Sequence, residues 1–239
     1  MKTTIDEVGE QIYRISVEVP PESIPVPGGF TFNQYLLVDE EPLLFHTGPR
    51  PFFSFVRAAI EKIMPVKNLK YIGFSHYEQD ECGSLNEFLA VAPGAIAVCS
   101  QVNALINGGG MDRPPNGLAD GGNLRIGKKS LRWIDTPHLP HGWECGYMFE
   151  EMTRTLLCGD LFTQPGSGMA PVTEADILDS SEAMRHSMDY YSHSTATKSL
   201  LTKVADTNPV LLACMHGSAW RGNGKQLLLD LAGMLSGTK

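Results

Sequence analysis

The stretch Ser75–Ser84, "SHYEQDECGS", places a histidine, two glutamates, an aspartate and a cysteine within ten residues, directly after the apolar run "LKYIGF". Short apolar runs of this kind read as buried strands, so the polar cluster sits where a strand ends. Ser84 and Glu87 have the S-x-x-E spacing of a capping box, which predicts a short helix running on through "FLAV". Taken alone, the cluster could be a solvated acidic turn that starts this helix. Three distant segments share its character, each an apolar run ending in residues able to hold a metal: "WIDTPHLPHGWECG" with His138 and His141, "TLLCGD" with Asp160, and "VLLACMHGS" with His216. Residues at the ends of adjacent strands converge, so ligands remote in sequence can surround one point. The combined pattern is H-x-E-x-D over His76, Glu78 and Asp80, then 60 intervening residues to His141, 18 to Asp160 and 55 to His216.

Outward from these segments, the chain reads as strands followed by mixed strands and helices, twice over. "IYRISVEV" alternates, with Tyr13, Ile15, Val17 and Val19 on one face, and the Pro/Gly-rich "PPESIPVPGG" follows as a loop. "FNQYLLV" and "PLLFHTG", split by "DEE", predict a hairpin, and Phe52, Val56, Ile60 and Ile63 recur at helical spacing. "AIAVC" predicts another strand, and Ser100 is placed to cap the helix "QVNALIN". "GGGMDRPPNGLADGG" reads as a long loop, with strands to follow in "NLRIG", "SLRWIDT" and "RTLLCGD". A helical region from about Ser180 to Ala205, the strand "PVLLACMH" and a last helix in "KQLLLDLAGML" complete the chain. With no linker-like composition between the halves, this order predicts an α/β chain of one domain over residues 1–239, two sheets packed face to face with helices outside, a four-layer αββα sandwich.

Composition narrows the chemistry. The formal charge of −8, with no Lys/Arg cluster, disfavours nucleic acid and anionic membranes as partners. No run reaches the roughly eighteen apolar residues of a membrane span, and "MKTTIDEVGE" lacks the basic and apolar regions of a signal peptide, so a soluble, cytoplasmic protein is expected. Five cysteines, an odd number with no C-x-x-C pair, encode neither a disulfide framework nor a zinc knuckle. Cys158 and Cys214 each lie two residues before a proposed ligand, where packing as small apolar residues accounts for them. Tyr77 and Tyr147 read as packing residues, and His186 and His193 lie in helical surface sequence.

The ordered pattern of His76, Glu78, Asp80, Gly83, Ser84, His141, Asp160 and His216 resembles the metallo-β-lactamase fold, and within it the di-iron branch of flavodiiron and oxygen-binding di-iron proteins. The segment "NQYLLVDEEPLLFHTG" is similar to that branch's N-terminal hairpin, with His46 where the family usually has Asp. The resemblance implies that His76, Glu78 and His141 hold one iron, that Asp80 and His216 belong to the second, and that Asp160 bridges them. It also suggests a homodimer. Glu81 stands where the family often has His, and three roles are open to it: ligand, proton donor, or exposed acid at a helix start. "HGWE" replaces the more usual H-W-P-D, and His138 adds a histidine three residues before His141, read as a pocket-wall residue or a support for the ligands.

Beside the resemblance stands a charge argument. Zinc hydrolases of this fold use H-x-H-x-D-H, whereas Glu78 puts a hard anionic oxygen where they carry imidazole. Two divalent ions carry +4, so Glu78, Asp80 and Asp160 leave about +1, and oxygen-rich ligation favours Fe or Mn over Zn. The expectation is a centre of two non-haem irons, with Zn or Mn as alternatives, that binds, senses or reduces O2 or NO. Only 23 residues follow His216, too few for a flavodoxin-like module, so electrons or signals are expected to pass through a separate donor or signalling protein. The rival is a binuclear hydrolase acting on an ester, lactone, thioester or phosphodiester.

Overall fold

The computed structural model describes residues 1–237. A first seven-stranded sheet follows chain order: β1 (Lys2–Gly9), β2 (Ile12–Val19), β3 (Phe30–Leu37), β4 (Leu43–Phe45), β5 (Tyr71–Gly73), β6 (Ile96–Ser100) and β7 (Asn116–Leu118). It is antiparallel from β1 to β4 and parallel from β4 to β7. The second sheet comprises β8 (Asn123–Arg125), β9 (Ser130–Asp135), β10 (Gly146–Glu150), β11 (Thr155–Leu157), β12 (Val172–Thr173), β13 (Leu211–Ala213) and β14 (Ala219–Arg221). Its spatial order is β12-β14-β13-β11-β10-β9-β8, with β13 inserted parallel to β11. The helices are α1 (Phe53–Ile60), α2 (Gln79–Cys82), α3 (Leu85–Val91), α4 (Gln101–Asn107), α5 (Leu178–Met188), α6 (Thr197–Ala205) and α7 (Gly224–Gly237).

Three apolar layers make the expected αββα sandwich. Ile15, Val17 and Leu36 on the outer face of the first sheet pack with Val56 and Ile60 of α1 and Phe88 of α3. Tyr35, Leu37 and Phe45 meet Trp133, Met148 and Leu157 between the sheets. Leu156 and Leu212 on the outer face of the second sheet pack with Leu201 of α6 and Leu228 of α7. Each sheet is therefore covered on both faces, as a mostly buried sheet requires.

β2 shows why alternation alone understates burial. Tyr13, Ile15, Val17 and Val19 face α1, as their spacing predicts. The opposite face carries Arg14 and Ser16, which are also buried because the second sheet covers them. The Arg14 guanidinium donates through Nη2 to the Gly217 carbonyl at 2.8 Å, which offsets part of the cost of burying its charge.

Several elements depart from expectation. β1 is polar in sequence yet pairs along most of β2, and β10 lies inside what had no strand assigned to it. The Gly/Pro-rich loop contains β7. The helical region after Ser180 is two helices, broken after Met188 where Asp189 turns left-handed at φ 48°. The expected capping box does not form. Ser84 Oγ donates to the Pro49 carbonyl instead, and Glu87 pairs with Arg50. Ser100 does cap its helix, accepting from the Asn103 amide at 3.0 Å.

Candidate metal centre

All the expected ligands gather at one rim of the sandwich, where strand ends meet. His76 follows β5, Asp160 follows β11 and His216 follows β13, so parallel strands deliver their next residues to the same edge. Glu78 lies in the turn entering α2, Asp80 on its first turn, and His141 in the loop between β9 and β10. They form two groups whose donor atoms lie within 4.8 Å of one another: His76, Glu78, His141 and Asp160 in one, Asp80, Glu81 and His216 in the other. His76 Nε2 approaches Glu78 Oε2 at 3.0 Å and Asp160 Oδ2 at 3.6 Å; His141 Nε2 approaches the same two oxygens at 2.8 and 3.8 Å. His216 Nε2 stands 3.3 Å from Asp160 Oδ1 and 3.4 Å from Asp80 Oδ2. One carboxylate thus gives one oxygen to each group, which is the arrangement of a bridge.

The histidines are oriented from behind. His141 Nδ1 lies 2.8 Å from the Tyr190 carbonyl and His216 Nδ1 2.7 Å from the Thr31 carbonyl. A carbonyl only accepts, so in both rings Nδ1 carries the proton and Nε2 presents its lone pair to the site whenever the ring is neutral. His76 Nδ1 lies 3.0 Å from Ser75 Oγ, and Ser75 Oγ lies 3.1 Å from His46 Nε2. His46 is buried beneath the site, and burial lowers its pKa to about 3, so this imidazole is neutral. Gly159, at φ 49°, makes the turn that aims Asp160; a Cβ there would sit 2.9 Å from Ser75 Oγ.

The segment carrying His216 is clamped from the first sheet. The Asn33 side-chain amide donates to the carbonyls of Cys214 and Gly217, Tyr35 Oη donates to the Cys214 carbonyl, and the Gly217 amide donates to Thr31 Oγ1. Phe30 stacks on the His216 ring at 4.2 Å. Glu144 accepts from the Tyr77 amide at 3.0 Å, fixing the backbone between His76 and Glu78. None of these supports is named by the ligand pattern. The one signal in the sequence is polar residues, Arg14, Thr31 and Asn33, at strand positions that alternate with apolar ones.

Electrostatics reflect concentrated opposite charge. Hydrogen bonds from His141 and His76 lower Glu78 to about 2. Burial disfavours the charged form of His216, but Asp160 and Asp80 overcome it and carry its pKa up to about 10. Glu81 goes the other way: burial, then the charge of Asp160, raise it well above the carboxylate range. Glu81 is wholly buried, which removes its reading as an exposed helix-start acid.

His138 is exposed in a left-handed turn at φ 65° and forms no wall of the site. His138→Ala is therefore expected to leave metal content unchanged, whereas His141→Ala lowers metal affinity at least tenfold, as measured by metal analysis after dialysis. Cys158 and Cys214 lie 3.8 Å apart among apolar residues under α6 and α7, outside both candidate ligand groups, and burial raises the Cys158 thiol. Tyr147 is buried and donates to the Leu139 carbonyl; Tyr77 is half-exposed on a cavity of about 860 Å³ that also reaches Glu78 and Arg50.

Among solved structures, the chain superposes on rubredoxin oxygen:oxidoreductase from the anaerobe Desulfovibrio gigas with a TM-score of 0.80 at 18% identity, covering 96% of this chain and 62% of that one. A diflavin flavoprotein fragment from Nostoc gives 0.83 at 16% identity, covering 98% and 97%. The flavodiiron protein from Giardia intestinalis gives 0.77 at 20% identity, covering 99% and 60%. At these identities the likeness establishes the fold. In sequence, the anaerobic nitric oxide reductase flavorubredoxin of Aliivibrio fischeri is 26% identical over 245 residues, 95% of this chain and 47% of that protein. Its counterpart in Shigella dysenteriae is 28% identical over 217 residues, 84% and 43% respectively. The chain thus spans about half the length of the curated relatives it matches. Residues 30–217 match the model of the ODP family beta lactamases, and the chain belongs to that family.

Proposed function

We propose that this chain is a non-haem di-iron protein that binds, senses or reduces O2 or NO with electrons from a separate partner, residues 1–239 acting as one metallo-β-lactamase-like domain. The observation that carries the reading is the division of Asp160, Oδ2 toward His76 and His141, Oδ1 toward His216, with Glu78 supplying a carboxylate in the first group. The residues fit a cation pair on their own chemistry. Asp160 Oδ1 and both carboxylate oxygens of Glu81 are buried without a hydrogen-bond partner among the described residues. Asp160 is offset only by the histidines around it, at 3.3 to 3.8 Å, and Glu81 has no well-formed partner, so bound divalent ions would relieve the cost of burying these groups. His76, Glu78, His141 and Asp160 would hold the first ion, and Asp80, His216 and Asp160 the second.

When bound, two irons supply paired one-electron carriers and positions at which a diatomic gas can be held. The chain's part is to fix the rings through Tyr190, Thr31 and Ser75, to bury the rear of the site under Phe30 and Phe32, and to leave Glu78 half-exposed toward the cavity. The flavorubredoxin relatives are named for nitric oxide reduction, and the Desulfovibrio neighbour for oxygen, which supports gas chemistry as the class. No helix among the described residues is long and apolar enough to cross a membrane, in keeping with reaction with a diffusible gas and a diffusing donor.

The test is anaerobic purification with metal analysis, followed by O2 or NO addition with and without reductant while absorption and gas consumption are recorded. Two irons per chain with a gas-dependent spectral change support the proposal. Two zincs, no spectral response and hydrolysis of an ester or phosphodiester would overturn it in favour of the hydrolase. A pH signature accompanies metal loading. His216 carries a proton up to about pH 10, against the effect of burial neighbouring carboxylates raise His76 and His141 as well, and the metal needs the Nε2 lone pair of each. Loading at neutral pH should then release protons, and affinity should rise as pH rises toward 10, by about tenfold per pH unit per displaced proton. Calorimetry in buffers of different ionisation heat measures that release.

A further inference from the structure

We propose that Glu81 is a ligand of the second metal, so that the two metal positions differ in hardness and the second selects Mn2+ more strongly than the first. The inference rests on the two-metal reading above and deepens it. The first position is offered two imidazole nitrogens, from His76 and His141, and two carboxylates, from Glu78 and Asp160. With Glu81 included, the second is offered one nitrogen, from His216, and three carboxylates, from Asp80, Glu81 and Asp160.

Three observations place Glu81 there. Its side chain is wholly buried, and neither oxygen has a hydrogen-bond partner among the described residues. Its donor atom lies within 4.8 Å of those of Asp80 and His216, and Oε2 stands 3.8 Å from His76 Nε2, on the side facing the first position. Its backbone is tied down, because the Thr47 amide donates to the Glu81 carbonyl at 2.7 Å. Neighbouring residues on a helix point about 100° apart, so Asp80 and Glu81 would ordinarily diverge. The extra methylene of Glu81 lets it return to the site from beneath while the partly exposed Asp80 enters from the solvent side. Beyond burial and the charge of Asp160, the Asp80 carboxylate beside it raises Glu81 further in the absence of a cation, so two acids share this corner, the arrangement a bound cation would relieve.

The selectivity follows from ligand type. Affinity for nitrogen-rich sites climbs steeply from Mn2+ to Zn2+, whereas carboxylate oxygen suits Mn2+ and Fe2+. Four carboxylates against two divalent ions also bring the centre to about zero net charge, against about +1 with three. As a ligand, Glu81 is not free to serve as a proton donor to bound gas.

The test loads the purified chain with Mn2+, Fe2+ and Zn2+, singly and in competition, and measures metals per chain by elemental analysis. Wild type is expected to hold two ions, with Mn2+ retained at the second position. Glu81→Gln keeps the shape but loses the charge, and should weaken the second ion at least tenfold while sparing the first. Glu81→His should restore the second ion and shift the Mn2+ to Zn2+ ratio toward zinc at least tenfold. Retention of two ions by Glu81→Gln with wild-type affinity and an unchanged ratio would overturn the inference. Should Glu81→Gln fail to fold, diffraction from Mn-loaded wild-type crystals decides: a Glu81 oxygen at roughly 2.2 Å from the second ion supports it, and no contact overturns it. Fewer than two ions in wild type is a different result, and removes the di-metal reading itself.

Discussion

Asp160→Asn is expected to abolish stable occupancy of both metal positions, taking metal content from two ions per chain to below one. Asp160 lies between the two groups, with Oδ2 at 3.6 Å from His76 Nε2 and Oδ1 at 3.3 Å from His216 Nε2. Asparagine has the same shape, but one arm becomes an NH2 group that donates and cannot ligate. Whichever way the amide rotates, one group receives a donor pointed at where its ion should sit, and both lose half of a negative charge. Replacing supports behind metal ligands typically costs 10- to 100-fold in affinity, so loss of a shared ligand should exceed about 100-fold. Gas consumption and any gas-dependent absorption should fall with it. Circular dichroism should remain that of the folded chain, because Asp160 lies at the rim and the three apolar layers do not depend on it. Wild-type metal content in this variant would show that Asp160 does not bridge.

The largest stability effect is expected from Trp133→Ala. Trp133 is completely buried on β9 in the layer between the sheets, with its Nε1 donating to Asp135 Oδ1 at 2.6 Å. Room for the indole comes from Gly146 on the neighbouring strand, where a Cβ would stand 2.4 Å from Trp133 Cζ2. A cavity of that size, flanked by a glycine and two paired sheets, cannot close without separating the layers. Trp→Ala at such a site costs about 3–5 kcal/mol. For a chain of this length each kcal/mol lowers Tm by about 2–4 °C, so a drop of roughly 6–20 °C should appear in thermal unfolding. The metal site lies at the sandwich edge, so metal content of the folded variant should stay near that of wild type. An unchanged Tm would show that the inter-sheet layer does not carry the fold.

The convergence of His76, Glu78, Asp80, His141, Asp160 and His216 was legible because the signal is local: each follows or flanks a short apolar run, and the order of residue types distinguishes a carboxylate-rich cluster from a histidine-rich one. The strands that escaped reading lack the usual pattern. β1, "KTTIDEVG", is mostly polar on an edge, held chiefly by its ladder with β2, with Val8 its one fully buried side chain. β10, "GYMFE", is buried throughout, which erases alternation and leaves a short apolar run with no period. The Ser84 capping box failed because Ser84, at φ −100° and ψ 12°, lacks the extended backbone of a cap residue, and its Oγ points to the Pro49 carbonyl, a contact made across 35 residues.

By itself, then, the sequence determined the sandwich and pointed to the candidate residues that meet at its rim, since periodicity and residue type depend only on neighbours along the chain. Which histidine of the pair enters the site was settled by the loop that turns His138 outward and anchors His141 on Tyr190. That Glu81 is buried among the ligands, and that Arg14, Thr31 and Asn33 hold the His216 segment from the other sheet, only the tertiary structure decided. The physical reason is common to all of these: a polar side chain has the same local signature whether water or a second sheet covers it, and only packing says which.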